Sequence, residues 1–221
     1  ISASISLLGI KKDMLVGAIQ EVFGSKPKLL TSNIEAAGYA YSYISTKYDT
    51  KNIKYKITSK DALKDYLLIS GSQAAAVGKI LGGCRFQTYY PITPASDESE
   101  FLESNQIIDQ VDGKNGSIVV VQTEDEIAAI TMAIGASLTG VRAATATSGP
   151  GFSLMAEALG WAGMNEVPLV VTMYQRACPS TGLPTRHEQS DLLFAINAGH
   201  GDFPKIVLAS GDIEESFYDS I

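Results

Sequence analysis

Residues 117–173 read SIVVVQTEDEIAAITMAIGASLTGVRAATATSGPGFSLMAEALGWAGMNEVPLVVTM. Ser117–Gln122, Arg142–Thr147 and Pro168–Met173 lack the in–out alternation of a half-exposed strand and predict strands buried on both faces. Between them, Glu124–Leu138 and Phe152–Met164 have the length and apolar spacing of amphipathic helices. Strand–helix–strand–helix–strand implies a parallel sheet with helices on both sides.

The pattern extends in both directions. Upstream, Asp65–Ser70 (DYLLIS) and Arg85–Tyr90 predict strands, Gly71–Gly83 a small-residue helix, and Ser96–Val111 an acidic helix. Downstream, the polar loop Tyr174–Ser190 leads to a helix over Asp191–Ala198, a strand over Lys205–Ala209 and the start of a helix from Asp212. The expected fold class is α/β, a doubly wound parallel sheet. Nearer the N-terminus, Lys11–Phe23 places Met14, Leu15, Ala18, Ile19, Val22 and Phe23 on one helical face. Gly24 follows as a C-cap, Pro27 is expected to bar continuation, and Asn33–Ile44 is a second helix candidate. Residues 1–60 carry nine Lys/Arg against four Asp/Glu, and 61–221 carry eight against twenty. That shift at the polar stretch Thr46–Lys60 predicts a helical piece at 1–46, a linker at 47–66 and the α/β domain at 67–221.

Composition removes several function classes. A net charge of −7 and a pI near 4.8 argue against a nucleic-acid partner. No apolar run is long enough to span a membrane. Cys84 and Cys178, the two cysteines among 221 residues, are too few for a disulfide framework, a four-cysteine zinc site or an iron–sulfur cluster held by this chain alone. Such sparse cysteine usage suits a cytoplasmic location. The chain opens on Ile1 with no signal peptide, and the expectation is an internal piece of a longer polypeptide.

In a doubly wound sheet the ligand crevice lies beyond the C-terminal ends of the strands. Four loops qualify: Tyr90–Ser96, Thr123–Glu126, Ser148–Phe152 and Tyr174–Ser190. Ser148-Gly-Pro-Gly-Phe152 opens a helix whose N–H groups could hold an anion, or is simply a tight turn. A dinucleotide fingerprint fails there at Leu154, and the P-loop-like Gly71–Lys79 fails on its glycine spacing and on Ile80. Thr123 and Glu126 have capping-box spacing, which competes with an acid–base role for Glu126. The 17 residues of Tyr174–Ser190 hold Arg176, Arg186 and His187, matched either to an anionic small molecule or to the domain's own surface acids. Cys178 reads as a buried small residue, Cys84 as core and His200 as part of a turn.

Tyr90-Pro-Ile-Thr-Pro94 places two prolines around an outward-facing Thr93. Together with Gln122-Thr-Glu-Asp-Glu-Ile-Ala-Ala, Ala146-Thr-Ser-Gly-Pro-Gly-Phe152 and Gln175-Arg-Ala-Cys-Pro-Ser-Thr-Gly-Leu-Pro-Thr185, it resembles the pyrimidine-binding domain of 2-oxoacid:ferredoxin oxidoreductases. These thiamine-diphosphate enzymes oxidatively decarboxylate 2-oxoacids to acyl-coenzyme A. The resemblance implies that Glu126 hydrogen-bonds the aminopyrimidine, that Thr93 lies near the reacting carbon, and that Arg176 grips the 2-oxoacid carboxylate. It implies Thr185, Arg186 and His187 as neighbours of the substrate, and Tyr90, Pro91, Ile92 and Pro94 as cofactor contacts. One departure is Gly71-Ser-Gln-Ala74, where the family usually has Gly-Asn-Glu-Ala. By the same resemblance, residues 1–46 end a gamma-type domain fused ahead of an alpha-type one, as in archaeal two-subunit members. Mg2+, the diphosphate and a [4Fe-4S] cluster then belong to a beta-type partner that passes electrons to ferredoxin, and coenzyme A is the co-substrate. The rivals are a non-catalytic nucleotide- or anion-binding α/β module using Ser148–Phe152 and a purely structural interaction domain.

Overall fold

The computed structural model describes residues 1–57, 66–109 and 115–221. It contains two compact units, Ile1–Leu67 and Leu68–Ile221.

The first unit packs α1 (Ser2–Leu7) and α2 (Lys12–Phe23) against the long α3 (Pro27–Lys47), followed by a 3-10 turn at Thr50–Asn52. Pro27 does not bar a helix but starts one. At the first helical position its missing N–H breaks no intrahelical bond, and its fixed φ already suits the helix. Leu15 and Ala37 are buried, and the Tyr41 hydroxyl donates to Ile10 O at 2.9 Å. Met14 and Val22, expected on the packed face of α2, are exposed.

The segment at the boundary of the two units differs from expectation. Asp65 lies outside the described residues, and Tyr66–Ser70 forms no strand; Tyr66, Leu67 and Leu68 are exposed. An apolar run becomes a strand only where a neighbour completes its hydrogen-bond ladder, and none of the described strands does so here. Ser70 instead begins α4 (Gly71–Leu81) with a reciprocal capping box to Gln73.

β1 (Phe86–Tyr89) then leads to α5 (Ser96–Ser104). The acidic helix stops well short of Val111. Asn105 closes it, with its Nδ2 donating to Phe101 O at 2.8 Å, and β2 (Ile107–Asp109) pairs antiparallel with β3 (Asn115–Ser117). Next come β4 (Val119–Gln122), α6 (Glu126–Leu138), β5 (Ala143–Ser148), α7 (Gly149–Met164) and β6 (Val170–Tyr174). α8 (Leu192–Asn197) and α9 (Ile213–Tyr218) follow. Lys205–Ala209 forms no strand, and Ile206 and Leu208 stand exposed for the same want of a ladder partner.

β4, β1, β5 and β6 lie side by side in that order, all parallel. From β1 the chain moves outward to β4, crosses back to β5, and continues outward to β6. The switch point therefore falls between β1 and β5, where open α/β sheets place their ligands. One apolar core joins α6 and α7 through Ala129, Ile130, Ile134, Met155 and Ala162. A second joins α4, α5 and the sheet through Ala76, Leu102, Ile118 and Ala144. β5, AATATS, is buried throughout because helices close over both of its faces. Among the described residues, no helix is long and apolar enough to cross a membrane.

Candidate functional site

Four connections converge beyond the C-terminal ends of the strands. After β1, the turn closed by Ser96 N–H donating to Ile92 O at 3.1 Å leaves Tyr90 and Thr93 exposed. The Thr93 carbonyl accepts from Arg176 Nη1 at 2.7 Å. The expected outward Thr93 and the arginine beyond β6 are thus brought together across β5.

Arg176 is only 4% exposed, so it does not answer surface acids. Its Nη2 donates to Thr181 O at 2.5 Å, while its Nε is buried without a partner. The rest of the loop folds back on itself: Ala177 N–H donates to Arg186 O at 2.8 Å and Leu183 N–H to Ala177 O at 3.0 Å. Thr185, Arg186 and His187 are exposed. Cys178 is exposed too, contrary to expectation, because this fold-back holds it at the rim, its Sγ 3.0 Å from Ser190 Oγ.

The predicted capping box at Thr123 is displaced. Thr123 Oγ1 donates backward to Tyr89 O at 3.2 Å and to Asp125 O at 2.8 Å, tying the ends of β1 and β4 together. Asp125 is the actual N-cap, its Oδ1 accepting from Ala128 N–H at 2.6 Å. Glu126 therefore starts the helix instead of sitting at its third position, and its carboxyl is released from capping. It is 6% exposed, and burial pushes its pKa above the ordinary carboxylate range. Its own backbone N–H and Arg176 oppose that rise, and Asp125 adds to it.

The head of α7 presses on this carboxyl. A Cβ at Gly151 would lie 2.1 Å from Thr147 Oγ1 and 2.6 Å from Glu126 Oε1, so only glycine fits. At Gly149 a Cβ would meet Asp191 Oδ2 at 2.7 Å. Gly149 and Gly151 thus form the first turn of the helix, not a turn before it. The Glu126 and Asp191 carboxyl groups already fill the space at the head of α7, which leaves no room there for the ligand of an anion-binding module. Asp191 is not among the site residues expected from the sequence. Its N–H donates to Gln175 Oε1 at 2.9 Å, and its Oδ2 and the Ser148 Oγ are buried without partners. Its only sequence signal is an N-cap position before a helix. Among the described residues, no three His, Cys, Asp or Glu side chains gather as a metal site.

Residues 77–221 match the family model described as pyruvate flavodoxin/ferredoxin oxidoreductase, thiamine diP-bdg. The 2-oxoacid:ferredoxin oxidoreductase subunit alpha of Saccharolobus solfataricus is 54% identical over 99% of this chain and 34% of its own length. The 2-oxoglutarate synthase subunit KorA of Archaeoglobus fulgidus is 44% identical over 68% of this chain and 42% of its own. Among solved structures, the 2-oxoglutarate:ferredoxin oxidoreductase from Magnetococcus marinus, with 2-oxoglutarate, coenzyme A and succinyl-CoA bound, superposes with a TM-score of 0.79 at 38% identity. That match covers 99% of this chain and 37% of the other. The chain spans about a third of the length of the first of these relatives.

Proposed function

Because the chain belongs to the thiamine-diphosphate-binding family of pyruvate flavodoxin/ferredoxin oxidoreductases, we propose that it forms the pyrimidine side of a 2-oxoacid:ferredoxin oxidoreductase. The complex converts 2-oxoacids and coenzyme A to acyl-CoA and CO2 and passes the electrons to ferredoxin. The observation that carries this reading is Glu126: a buried carboxyl at the start of α6, free of the capping bond, beside the sheet's switch point.

The donor set fits an aminopyrimidine. A buried carboxyl can hydrogen-bond a ring nitrogen, and burial makes it hold a proton more readily than an exposed carboxyl would. Thiamine diphosphate, when bound, supplies the acidic ring carbon and the electron sink for decarboxylation. Glu126 holds its proton against the pyrimidine, and Tyr90, Pro91, Ile92 and Pro94 shape the adjoining wall. The exposed Thr93 hydroxyl offers a hydrogen bond to substrate oxygens. Arg176 spends two of its five donors on backbone carbonyls, and the buried, unpartnered Nε is among those left for a 2-oxoacid carboxylate. Thr185 and Arg186 are outer contacts on the same loop. A beta-type partner holds Mg2+ and a [4Fe-4S] cluster, residues 1–46 belong to a gamma-type domain, and the complex works in the cytoplasm.

The test uses the complete subunit co-purified with its partner. Thiamine, iron and coenzyme-A-dependent viologen reduction by 2-oxoacids are expected in one preparation. Glu126→Gln is expected to lower kcat by about 10²–10⁴-fold, the usual weight of general acid–base catalysis. A complex that lacks thiamine, or a Glu126→Gln complex with unchanged turnover, sinks the reading.

A further inference from the structure

One buried polar network has no part in the reaction as described. Glu98, fully buried on α5, forms an ion pair with Lys79 of α4, itself 3% exposed. Gln87 Nε2 of β1 donates to Glu98 Oε1 at 3.1 Å and to Ser99 Oγ at 3.1 Å. The other carboxyl oxygen, Oε2, accepts from the Tyr174 hydroxyl at 2.7 Å. Tyr174 ends β6, and burial together with the neighbouring Glu98 carboxyl holds its phenol far above its usual pKa, so it remains a donor.

Position gives this network its meaning. Tyr174 stands two residues before Arg176, and Glu98 five residues after Thr93. The Arg176–Thr93 bond joins the outer ends of the same two segments. Two hydrogen bonds and two short stretches of chain therefore close a ring: Thr93 to Glu98, Glu98 to Tyr174, Tyr174 to Arg176, and Arg176 back to Thr93. A buried ion pair is an inefficient source of stability, since desolvation cancels most of its attraction, but it can fix register between elements. Lys79 from α4 and Gln87 from β1 orient the Glu98 carboxyl, and Tyr174 transmits that orientation to the loop beyond β6. Apolar packing alone would leave the two segments free to slide.

We propose that Tyr174 and Glu98 form a clasp that positions Arg176 against Thr93 and so sets the affinity for the 2-oxoacid. The clasp rests on the reading in which Arg176 and Thr93 hold the substrate. Tyr174 and Glu98 are positioning residues and touch no reacting atom.

The experiment is a KM-against-kcat comparison in the assembled complex, with Tyr174→Phe and Arg176→Lys made side by side. Tyr174→Phe removes one hydroxyl and is expected to raise the 2-oxoacid KM about tenfold, the scale of a hydrogen bond to a charged acceptor. Its kcat and thiamine content should stay within about twofold, since removing uniform substrate binding changes KM alone. Arg176→Lys should raise KM at least as far. If Arg176→Lys raises KM and Tyr174→Phe does not, the clasp is overturned while the functional reading stands. Loss of thermal stability in Tyr174→Phe with KM unchanged overturns it equally, by showing a merely structural role. If neither variant moves KM, the substrate role of Arg176 fails and the clasp fails with it. Should Tyr174→Phe not assemble, Glu98→Gln turns the charged acceptor of the same hydrogen bond into a neutral one, and its KM is read by the same criteria.

Discussion

Gly151 and Glu126 depend on each other. The helix carrying Gly151 comes so close that a methyl group there would overlap Thr147 Oγ1 and the Glu126 carboxyl. Gly151→Ala is therefore expected to cost about 1–3 kcal/mol by overpacking and to displace the carboxyl. Denaturant unfolding of the chain and thiamine retention by the complex would both register it; wild-type values in both would show that the contact yields freely. Glu126 also leaves a signature in pH. Burial raises its pKa, so the folded chain keeps the proton to higher pH than the unfolded chain does. Stability then falls as pH rises through the window between the ordinary carboxylate value and the raised one. Glu126→Gln removes that titration. Its Tm is expected to exceed the parent's at neutral pH, and the gap should close in acid below the ordinary carboxylate range. A gap independent of pH would contradict the assignment.

At the scale of elements, the two-residue shift in the start of α6 decides what Glu126 can do. Both Thr123 and Asp125 are good N-cap residues, and local spacing favoured Thr123 because Glu126 completes a box with it. The choice fell to Asp125 because the Thr123 hydroxyl is drawn to the β1 carbonyl of Tyr89, a partner 34 positions away that no local pattern contains. Asp125→Ala is expected to cost about 1 kcal/mol, and Asp125→Asn, which keeps the acceptor, much less. Equal losses from the two variants would show that the cap hydrogen bond is not what starts this helix. The core between α6 and α7 is a stronger constraint: Ile130 and Met155 are fully buried there, and Ile130→Ala is expected to cost about 2–5 kcal/mol in urea unfolding. In the same unit, α5 and Lys205–Ala209 are less regular than their apolar spacing predicts. Helical spacing extends past Asn105, but the Asn105 side chain turns back to cap the helix.

On the scale of the whole molecule, the reversal of strand order between β1 and β5 gathers Thr93, Glu126, Gly151 and Arg176, which the sequence scatters over 84 positions. The Lys79–Glu98 pair ties α4 to α5 beside that sheet. Lys79→Met would strand a buried carboxylate and is expected to cost about 3–5 kcal/mol, read from the urea midpoint of the full chain. A negligible change would mean that water reaches Glu98. Alternating buried strands and amphipathic helices sufficed to predict the parallel sheet, since each apolar face must be covered and few layer arrangements can cover it. The four loop motifs were equally legible, because they lie where such a sheet leaves its crevice. Tertiary structure alone decided the rest: which residue caps α6, which apolar runs pair as strands, that Arg176 is buried on two carbonyls, and that Asp191 faces the head of α7. Each depends on a partner distant in sequence, and a hydrogen bond or ladder exists only once folding has brought both ends together.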